Sequence, residues 1–584
     1  MAASSDFDRR WFKQVRDNVH GDIFLDKLVL KFIDTEQFQR LRYLKQLGLT
    51  DMVYPGAVHS RFEHSLGVHF LAGEAIEKIA KYQGSELGID RDDINTVKLA
   101  GLLHDVGHGP FSHLFEREFL PVFLNGQTWS HEDMSVKMID CIVDEHHVEI
   151  DPNFLKKVKK MIIASSERVP EKSANEKSFL YDIVANGRTG IDVDKFDYIV
   201  RDSRACGLIC NFEFQRLMET MRVLDDEICF RAKEYRTIHK LFATRADLHR
   251  TVYTHAKVKA IDLMVVDALI KANDNMSIVS KIHDPATFWK LDDSILRMIE
   301  VSPDPELQES KDLVQRIRRR DLYQFCNEFS VPKASLDHFK EITSQDIICS
   351  QNAGGVSLRE EDVAVSNIKI DLTRGRKNPL ERVNFYQDFE STEKFPIQDD
   401  RVSHLLPTFY QDMIVRVYSK KPELVREVSE AFEIFQVKKY GSKLQLSLKF
   451  IDTPQFQRLR DLKQLDLAHF IYPGAGHFRF EHSGEGSLSA MILRQSSSLG
   501  RDLLHTKPQR DPAINLEHQK RITPSTPRRF LRRPEGLTKP STQHGRPSSE
   551  VPSGSKAENG DRGPAGKGSH GLAWTNHYLA LGNW

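Results

Sequence analysis

Cysteine is scarce in this chain of 584 residues, which has six in total and no Cys-x-x-Cys pair. So few cysteines in so long a chain exclude a disulfide framework of the kind that staples small secreted domains. The first residues, MAASSDFDRRWFKQ, carry charges where a secretory signal needs an apolar stretch. We therefore expect an intracellular protein that folds in a reducing compartment.

Long apolar runs and an excess of charge are also missing. No stretch approaches the roughly 20 apolar residues that a membrane span requires, so we expect no membrane association. The 83 basic residues are balanced by 83 acidic ones, which argues against a dedicated basic nucleic-acid binder but allows a local basic patch. The hydrophobic fraction of 40% is ample for a buried core and excludes a wholly disordered chain.

Helical patterns dominate residues 1–345, which we interpret as one large helical domain. The clearest example is DTEQFQRLRYLKQL at residues 34–47, where apolar side chains recur every three residues. Asp34 is placed to cap this helix, Gln37 to complete a capping box, and Gly48 to end it.

Three further regions follow. Residues 346–440 mix β-prone pieces, VSNIKIDL and RVNFYQDF, with polar turns and predict a small α+β lobe. Residues 487–584 are rich in Ser, Pro, Gly, Arg and Lys, and they offer too few apolar side chains to offset the entropy of ordering, so we expect a disordered tail. The predicted fold class is mainly α, with a helical core, this small lobe and the tail.

The remaining region, residues 441–486, contains a repeat. Residues 448–483 nearly copy residues 30–65 without a gap. A solenoid needs several full units of fixed period, so a partial duplication, or a fusion to a fragment of a related gene, explains the copy better. It includes His482 but no second His-Asp pair, and we therefore do not expect a second active site.

Histidines cluster in the first quarter of the chain, in HSRFEHS, LLHDVGHGPFSH and WSHE. A lone histidine is more often a core or surface residue than a ligand, but the adjacent pair His104–Asp105 ends the apolar helix predicted for INTVKLAGLL. Imidazole and carboxylate together suit Zn, Fe, Mn or Ni. Two adjacent residues cannot complete a coordination sphere, so the pattern requires an upstream His and a downstream Asp.

Several long motifs resemble a known family. RFEHS at 61–65, HDVGHGPFSH at 104–113 and GIDVDKFDYIVRD at 190–202 follow the order H…HD…D of the HD-domain metal-dependent phosphohydrolases. With DTEQFQRLRYLKQLG and TRADLHRTVYTH added, the chain resembles, over roughly residues 10–420, the deoxynucleoside triphosphate (dNTP) triphosphohydrolases that combine a SAM and an HD domain. The match begins almost at the first residue, so we expect no SAM domain.

The resemblance implies a metal centre and a neighbouring group of catalytic side chains. The implied ion is Zn, Fe, Mn or Mg, and its ligands are His64, His104, Asp105 and Asp194. The catalytic group comprises His108, His113, Glu116 and His131. We expect His113 to be the general acid that protonates the leaving oxygen, with Glu116, which stands where the family usually has Asp, orienting it and raising its pKa.

The resemblance also implies a substrate site for dNTPs, which would be cleaved to a deoxynucleoside and intact triphosphate. The triphosphate would contact Arg61, Lys195 and Tyr198, the sugar and phosphates Asp202, Arg245, His249 and Tyr253, and the deoxyribose Gln46 and Leu47. Helical spacing supports two of these groups independently, because both the 195–202 and the 245–253 residues recur at one-turn intervals.

Nucleotides act in this family as activators as well as substrates. The resemblance implies that GTP and dNTPs bind between subunits and assemble a homotetramer, in an enzyme that controls cellular dNTP levels, which we expect in the nucleus. The positions matching the guanine-specific site are Lys13, Asp34, Gln39 and Arg42. The second site corresponds to Arg216, Arg231, Lys233, Arg320 and Lys377.

Two alternatives stay open at this point. One is another HD-type phosphohydrolase, such as a phosphodiesterase for cyclic nucleotides or oligonucleotides, which would share the metal ligands but would not need Gln46 and Leu47. The other is a non-catalytic nucleic-acid-binding protein or scaffold. It would use the basic tail for weak RNA contact or nuclear import, through Arg528, Arg529, Arg532 and Arg533.

Overall fold

A computed structural model of the protein describes residues 12–165, 176–352, 356–372, 378–397 and 410–441, together with Arg458. Lys377, His482 and the basic tail lie outside these residues, as does the copied segment apart from Arg458. The predictions made for them stay predictions.

Helices make up most of the described chain and confirm the mainly α fold class. Two π-helical turns, Phe115–Phe119 and His249–Tyr253, interrupt the regular pattern. The α-helices are α1 Lys27–Ile33, α2 Glu36–Gln39, α3 Arg61–Leu87, α4 Arg91–Leu103, α5 His131–Glu145, α6 Pro152–Ile162, α7 Tyr181–Val184, α8 Val193–Ala205, α9 Phe214–Glu219, α10 Tyr235–Leu248, α11 Ala256–Met276, α12 Pro285–Phe288, α13 Ile295–Val301, α14 Gln308–Arg318, α15 Ser344–Ile348 and α16 Val425–Tyr440.

Three small sheets accompany the helices in the described residues. The first is the antiparallel hairpin β1–β2, the second has the order β3-β4-β7-β8 with β4 and β7 parallel, and the third is antiparallel with the order β5-β9-β6. The strands are β1 Lys13–Asp17, β2 Gly21–Leu25, β3 Met221–Leu224, β4 Glu227–Arg231, β5 Gln324–Ser330, β6 Val363–Asp371, β7 Asn384–Tyr386, β8 Phe395–Pro396 and β9 Gln411–Ser419.

The main core is built around the long helix α3, which packs against α4 and α8. Val68, Ala72 and Ile79 lie on its buried face at helical spacing. Gly101 of α4 allows this packing to be close, because a Cβ there would lie 3.1 Å from the Val68 carbonyl oxygen and 3.0 Å from the Ala72 Cβ. The contact brings the first turn of α3 beside the end of α4. None of the described helices combines the length and apolar character needed to cross a membrane.

The helix predicted over residues 34–47 is wrong in both its start and its length. Asp34 ends α1, and Thr35 caps α2 by accepting the Phe38 N–H. The helix continues only as a 3-10 segment to Tyr43. The reason is tertiary, because the next residues pair with residues 59–61 as an isolated β-bridge: the Leu44 carbonyl accepts the N–H of residue 61 at 2.9 Å.

The third sheet and helices α15 and α16 form a separate small hydrophobic cluster around Phe329, Val415 and Phe432. The β-prone pieces predicted from the sequence are confirmed as β6 and β7. The predicted domain boundary at residue 345 stays a prediction; β5, the first strand of this sheet, lies on its N-terminal side.

Candidate active site

Four side chains converge where α3, α4 and α8 meet, and we call them the ligand cluster: His64, His104, Asp105 and Asp194. His64 lies in the first turn of α3, His104 and Asp105 directly follow α4, and Asp194 lies in the first turn of α8. The His64 Nε2 is 3.1 Å from the Asp194 Oδ1 and 3.5 Å from the Asp105 Oδ2. The His104 Nε2 lies 3.4 Å from the Asp105 Oδ1. The structure therefore brings together all four residues predicted to bind metal.

The chemistry of the ligand cluster suits a cation. The His104 Nδ1 bonds the Gly101 carbonyl at 2.9 Å, whereas its Nε2 is buried without a hydrogen-bond partner. Burial lowers the pKa of His64, but its hydrogen bonds with Asp194 and Asp197 outweigh this and raise the pKa to about 10. Carboxylates that favour a protonated imidazole also attract a metal ion, so the residues present fit a divalent or transition metal.

A second layer of residues behind the cluster escaped the sequence analysis. Asp197 is fully buried, and its Oδ2 lies 2.7 Å from the His64 Nδ1. Burial raises the pKa of Asp197, but the Arg201 guanidinium and the hydrogen bonds to Arg201, His20 and His64 hold it well below its usual value. The motif GIDVDKFDY contains Asp197, but no sequence pattern indicates His20, which lies 177 positions away in the chain.

Four further side chains form what we call the histidine cluster: His108, His113, Glu116 and His131. The rings of His108 and His131 stack with centroids 3.8 Å apart, and His113 meets both edge-on at 5.1 and 5.5 Å. The Glu116 Oε2 lies 2.8 Å from the His131 Nδ1 and 3.7 Å from the His113 Nδ1. The cluster joins the ligand cluster through the His108 Nε2, 3.2 Å from the Asp105 Oδ1.

The prediction that the pKa of His113 is raised is wrong, because the hydrogen bond with Glu116 acts in that direction but is outweighed. Confinement in the cavity and the positive charge of Arg117 lower the pKa of His113, although its ring is 47% exposed. Burial also lowers the pKa of His131, but the hydrogen bond with Glu116 outweighs it and raises the pKa above its usual value. Glu116 therefore acts in the same direction on both histidines, and the surroundings of His113 outweigh its effect there.

Both clusters open into one cavity of about 390 Å³. Arg61 lies at its wall, where its guanidinium pairs with Asp105 and its Nε donates to the Ser112 Oγ at 2.9 Å. The predicted substrate residues that line the cavity are Gln46, Arg61, Lys195, Tyr198 and Arg245.

The other predicted substrate residues, Leu47, Asp202, His249 and Tyr253, do not line this cavity. Asp202 accepts a hydrogen bond from the Tyr253 hydroxyl at 2.7 Å, and the ring of Tyr253 lies 6.5 Å from that of Tyr198. Tyr253 therefore lies next to Tyr198, which lines the cavity, and Asp202 is hydrogen-bonded to Tyr253.

Two arginines that the sequence analysis did not single out, Arg117 and Arg382, also line the cavity. Both are exposed, and within the described part of the chain neither has a hydrogen-bond or ion-pair partner. Lys195, in contrast, is paired with Asp192 at 2.9 Å. Arg117 belongs to no quoted motif, and Arg382 begins RVNFYQDF, which is identified only as a β-prone piece, so sequence spacing does not indicate either arginine.

The predicted activator residues that the structure describes contact neighbouring side chains and carbonyls. Lys13 and Asp34 form an exposed ion pair of 3.4 Å, and Gln39 accepts from the Arg42 Nε at 2.7 Å while donating to the carbonyl of residue 33. In the second predicted site, Arg216 bonds Glu234, the neighbour of Lys233. Arg231 lies 5.6 Å from the Phe389 ring centroid, and the Arg320 Nη2 donates to the Met52 carbonyl.

Comparison with known families identifies an HD domain at residues 61–199 and an HD associated region at residues 212–443. The chain is 40% identical over 425 residues to the deoxynucleoside triphosphate triphosphohydrolase SAMHD1 homolog of Dictyostelium discoideum, covering 73% of this chain and 80% of that relative. It is 39% identical over 448 residues to the deoxynucleoside triphosphate triphosphohydrolase SAMHD1 of Danio rerio, covering 70% and 71% of the two chains. For the Homo sapiens protein of the same name the identity is 36% over 442 residues, with 70% of each chain covered.

The alignments agree with the geometry. The HD domain match contains His64, His104, Asp105 and Asp194, the four residues that meet in the ligand cluster. The HD associated region supplies Arg245 to the wall of the cavity that the ligand cluster lines. With both regions matched and two thirds or more of each relative covered, the chain belongs to the SAMHD1 family of HD-domain deoxynucleoside triphosphate triphosphohydrolases.

Proposed function

We propose that the protein hydrolyses deoxynucleoside triphosphates to a deoxynucleoside and inorganic triphosphate in a metal-dependent reaction. The observation that carries this proposal is the shared cavity, which contains the ligand cluster, the histidine cluster and several cationic side chains. A polyanionic substrate needs such cations, because the carboxylates of the ligand cluster would otherwise repel it.

The phosphates bind to cations from different elements of the cavity wall. Lys195 and Arg245 are held by carboxylates in the free protein, through Asp192 and Asp371. Arg117 and Arg382 have no partner among the described residues and add positive charge at little desolvation cost. Phosphate oxygens accept from guanidinium groups in bidentate geometry, so these arginines favour a triphosphate over a neutral ligand.

His64, His104, Asp105 and Asp194 would hold the metal ion, which when bound would polarise the α-phosphoryl group and lower the pKa of a water molecule. The water oxygen forms a bond to the α-phosphorus and gives up a proton to the solvent, and the bond between that phosphorus and the 5′ oxygen breaks. The 5′ oxygen is a poor leaving group unless it receives a proton, which His113 donates from its exposed position on the cavity wall. The products are the deoxynucleoside and triphosphate.

Glu116 and His131 supply and retain that proton. Because His113 has a lowered pKa in the free protein and His131 a raised one, the proton resides on His131 beside Glu116 before substrate binds. The negative charge of a bound triphosphate raises the pKa of His113 and reverses this preference. The 3.7 Å between Glu116 and His113 is short enough for one water to bridge the two side chains.

Gln46 and Leu47 select deoxyribose. The Gln46 Oε1 is buried without a partner at the cavity wall, and it accepts a hydrogen bond from the substrate sugar. Leu47, its partly buried neighbour, does not line the cavity, and we expect it to exclude a 2′-hydroxyl by limiting how far Gln46 can move. An unpaired buried acceptor is unfavourable until a ligand satisfies it, which makes this position selective.

We further propose that the chain is activated by GTP and dNTPs, assembles into a homotetramer, and controls dNTP levels in the nucleus. Asp34 accepts from the N1–H and 2-amino groups of guanine, the pairing that selects GTP. Asp34→Ala should abolish both GTP activation and GTP-induced assembly while leaving the metal content unchanged. Light scattering with and without GTP measures this, and a variant that still assembles contradicts the activator assignment.

The central test is to incubate the purified full chain with each dNTP and each ribonucleotide, with and without GTP, and to identify the products by chromatography. We expect triphosphate and deoxynucleosides, and no turnover of ribonucleotides. Release of pyrophosphate or monophosphate, or cleavage of cyclic nucleotides or oligonucleotides, would favour another HD-type phosphohydrolase.

A further inference from the structure

A buried chain of hydrogen bonds joins the hairpin β1–β2 to the ligand cluster. The His20 Nε2, in the turn of the hairpin, lies 2.6 Å from the Asp197 Oδ1, and the Asp197 Oδ2 lies 2.7 Å from the His64 Nδ1. The side chains of the three residues are 3% exposed or less. The hairpin turn is therefore in contact, through one carboxylate, with a residue proposed to bind the metal.

This arrangement fixes the orientation and tautomer of His64. An ionised carboxylate only accepts hydrogen bonds, so the His64 Nδ1 carries a hydrogen, and the Nε2 would present a lone pair once a metal ion displaces its proton. A partner of this kind holds the imidazole plane in place and makes the ligand nitrogen more basic. Asp197 can do this only as long as its own two oxygens are held in position.

Three groups hold Asp197. The Arg201 Nε and Nη2 bond its two oxygens, each at 2.8 Å, and His20 bonds Oδ1. Arg201 is fixed at its other edge by Asp17, which also accepts the backbone N–H of His20 at 2.7 Å. Gly67 leaves space for the network, because a Cβ at that position would overlap the Asp197 carboxylate.

The His20 ring itself has little freedom to move. It lies against the rings of Phe70 and Phe214, with centroids 5.4 and 5.9 Å away. With its ring packed and its backbone N–H bonded to Asp17, His20 places a hydrogen-bonding nitrogen at a defined point beside Asp197. Removing the ring would leave the Asp197 Oδ1 with Arg201 alone and would free the carboxylate to turn.

We propose that His20 is a positioning residue for the metal centre, acting through Asp197 to hold His64 in its metal-binding orientation. This inference rests on the metal role proposed above for His64. The hairpin turn, whose His20 lies 177 positions before Asp197 in the sequence, would then contribute to metal affinity.

The test uses the full chain, stripped with a chelator and titrated with Mn²⁺ as the probe, with free Mn²⁺ followed by electron paramagnetic resonance. His20→Ala should weaken Mn²⁺ binding about tenfold, the lower end of the effect of removing a second-layer partner. Saturating Mn²⁺ should restore most of kcat, and KM for the dNTP should stay unchanged. His20→Gln, which keeps an N–H donor for Asp197, should recover most of the affinity.

His69→Ala provides the matched control, because His69 is equally buried on α3 but bonds the Lys98 carbonyl and touches none of the ligand cluster. It should lower the melting temperature without changing Mn²⁺ affinity. Unchanged Mn²⁺ affinity in His20→Ala, or an equal loss in His69→Ala, would overturn the inference. His64→Ala distinguishes failure of the proposed metal site from failure of the role of His20. If His64→Ala also binds Mn²⁺ normally, the metal assignment fails. If His64→Ala loses Mn²⁺ binding and His20→Ala does not, only the role of His20 fails.

Discussion

The ligand cluster and the histidine cluster contain the same kinds of side chain and differ in how these are arranged. In the ligand cluster two imidazole Nε2 atoms face two carboxylates, and the Nε2 of His104 has no hydrogen-bond partner. In the histidine cluster the rings of His108 and His131 stack, and Glu116 is the carboxylate between His131 and the edge-on ring of His113.

This difference separates two tasks, metal binding and proton donation, within a single cavity. Lone pairs that converge between carboxylates favour a cation. Two neighbouring imidazoles that share one carboxylate favour a single proton, which Glu116 can stabilise on either neighbour. The two clusters touch through His108 and Asp105, so the proton donor is held close to the metal site without belonging to it.

His104→Ala is the variant with the largest expected effect. It removes one metal ligand, and it should lower kcat/KM by about a thousandfold or more, since the metal supplies several kcal/mol of transition-state stabilisation. Metal analysis and the product assay measure the two consequences together. Circular dichroism of the variant should show the same helical content as that of the native chain.

The same metal analysis tests whether only the ligand cluster, and not the histidine cluster, binds a metal ion. We expect one tightly bound ion per chain, because only the ligand cluster is assigned to a metal. The four residues of the histidine cluster also lie close enough together to ligate an ion. A stoichiometry of two that falls to one in His131→Ala would show that both clusters bind metal.

His113→Ala should have the next largest effect, a fall in kcat of at least about a hundredfold, which is typical of removing a general acid. The metal content should stay at the native level, because His113 lies outside the ligand cluster. On a substrate whose leaving group is better than the 5′ oxygen, the variant should lose much less of its kcat. An equal loss with both substrates would mean that His113 binds substrate and does not protonate it.

Much of the active site could be predicted because its residues occur in local motifs. His104 and Asp105 follow α4 as expected, and Asp194 and Lys195 share the first turn of α8. Their convergence depends on the packing of α3 against both helices, which the buried faces of these helices encode.

The parts that could not be predicted depend on contacts between distant segments. The β-bridge of Lys45 with Ser60 ends the helix that the apolar spacing of residues 34–47 predicts. The pKa of His113 is lowered by burial and by the charge of Arg117 in spite of Glu116, and sequence spacing does not determine either effect. His20 reaches Asp197 only because the hairpin folds back onto α8.

A smaller effect is expected in the stability of the histidine cluster as a function of pH. The folded pKa of His131 lies above its unfolded value of 6.5, so its contribution is complete below pH 6.5 and is lost as the pH rises through the folded pKa. Glu116 has a depressed pKa and contributes above its unfolded value of 4.5. The pair should therefore stabilise most between pH 4.5 and 6.5.

Chemical denaturation of the native chain and of His131→Ala at several pH values measures this contribution. The difference in unfolding free energy should be about 1.5–3 kcal/mol near pH 6, the range for a hydrogen bond to a charged group. It should shrink by pH 9. A difference that is constant across this range would show that His131 is not protonated beside Glu116.

The smallest effect is expected from removing the copied segment. His482 corresponds to His64, but the copy has no counterpart of His104, Asp105 or Asp194. A single imidazole binds metal weakly compared with a site of three or four ligands. The copy therefore cannot repeat the ligand cluster, and it could influence activity only by replacing residues 30–65 in the fold.

The surroundings of the first copy oppose such a replacement. Gly48 has a φ of +52°, and a Cβ there would lie 3.1 Å from the Phe111 carbonyl oxygen, whereas the copy has Asp466 at this position. Ser60 is buried at the start of α3, and the copy has the much larger Phe478. A strained backbone and an overpacked site both favour the first copy.

Truncation after Gly441 should therefore leave the metal content, kcat and KM within about twofold of the full chain. This end point keeps the left-handed residue that caps α16, whose N–H donates to the Val437 carbonyl, so the last helix stays intact. The same assay run on the full chain is the reference. If truncation abolishes activity or raises it several-fold, residues beyond 441 act on the site, and the ligand cluster is not independent of the copy. Because the first copy forms its contacts without closing a loop of about 400 residues, we expect it to retain its place.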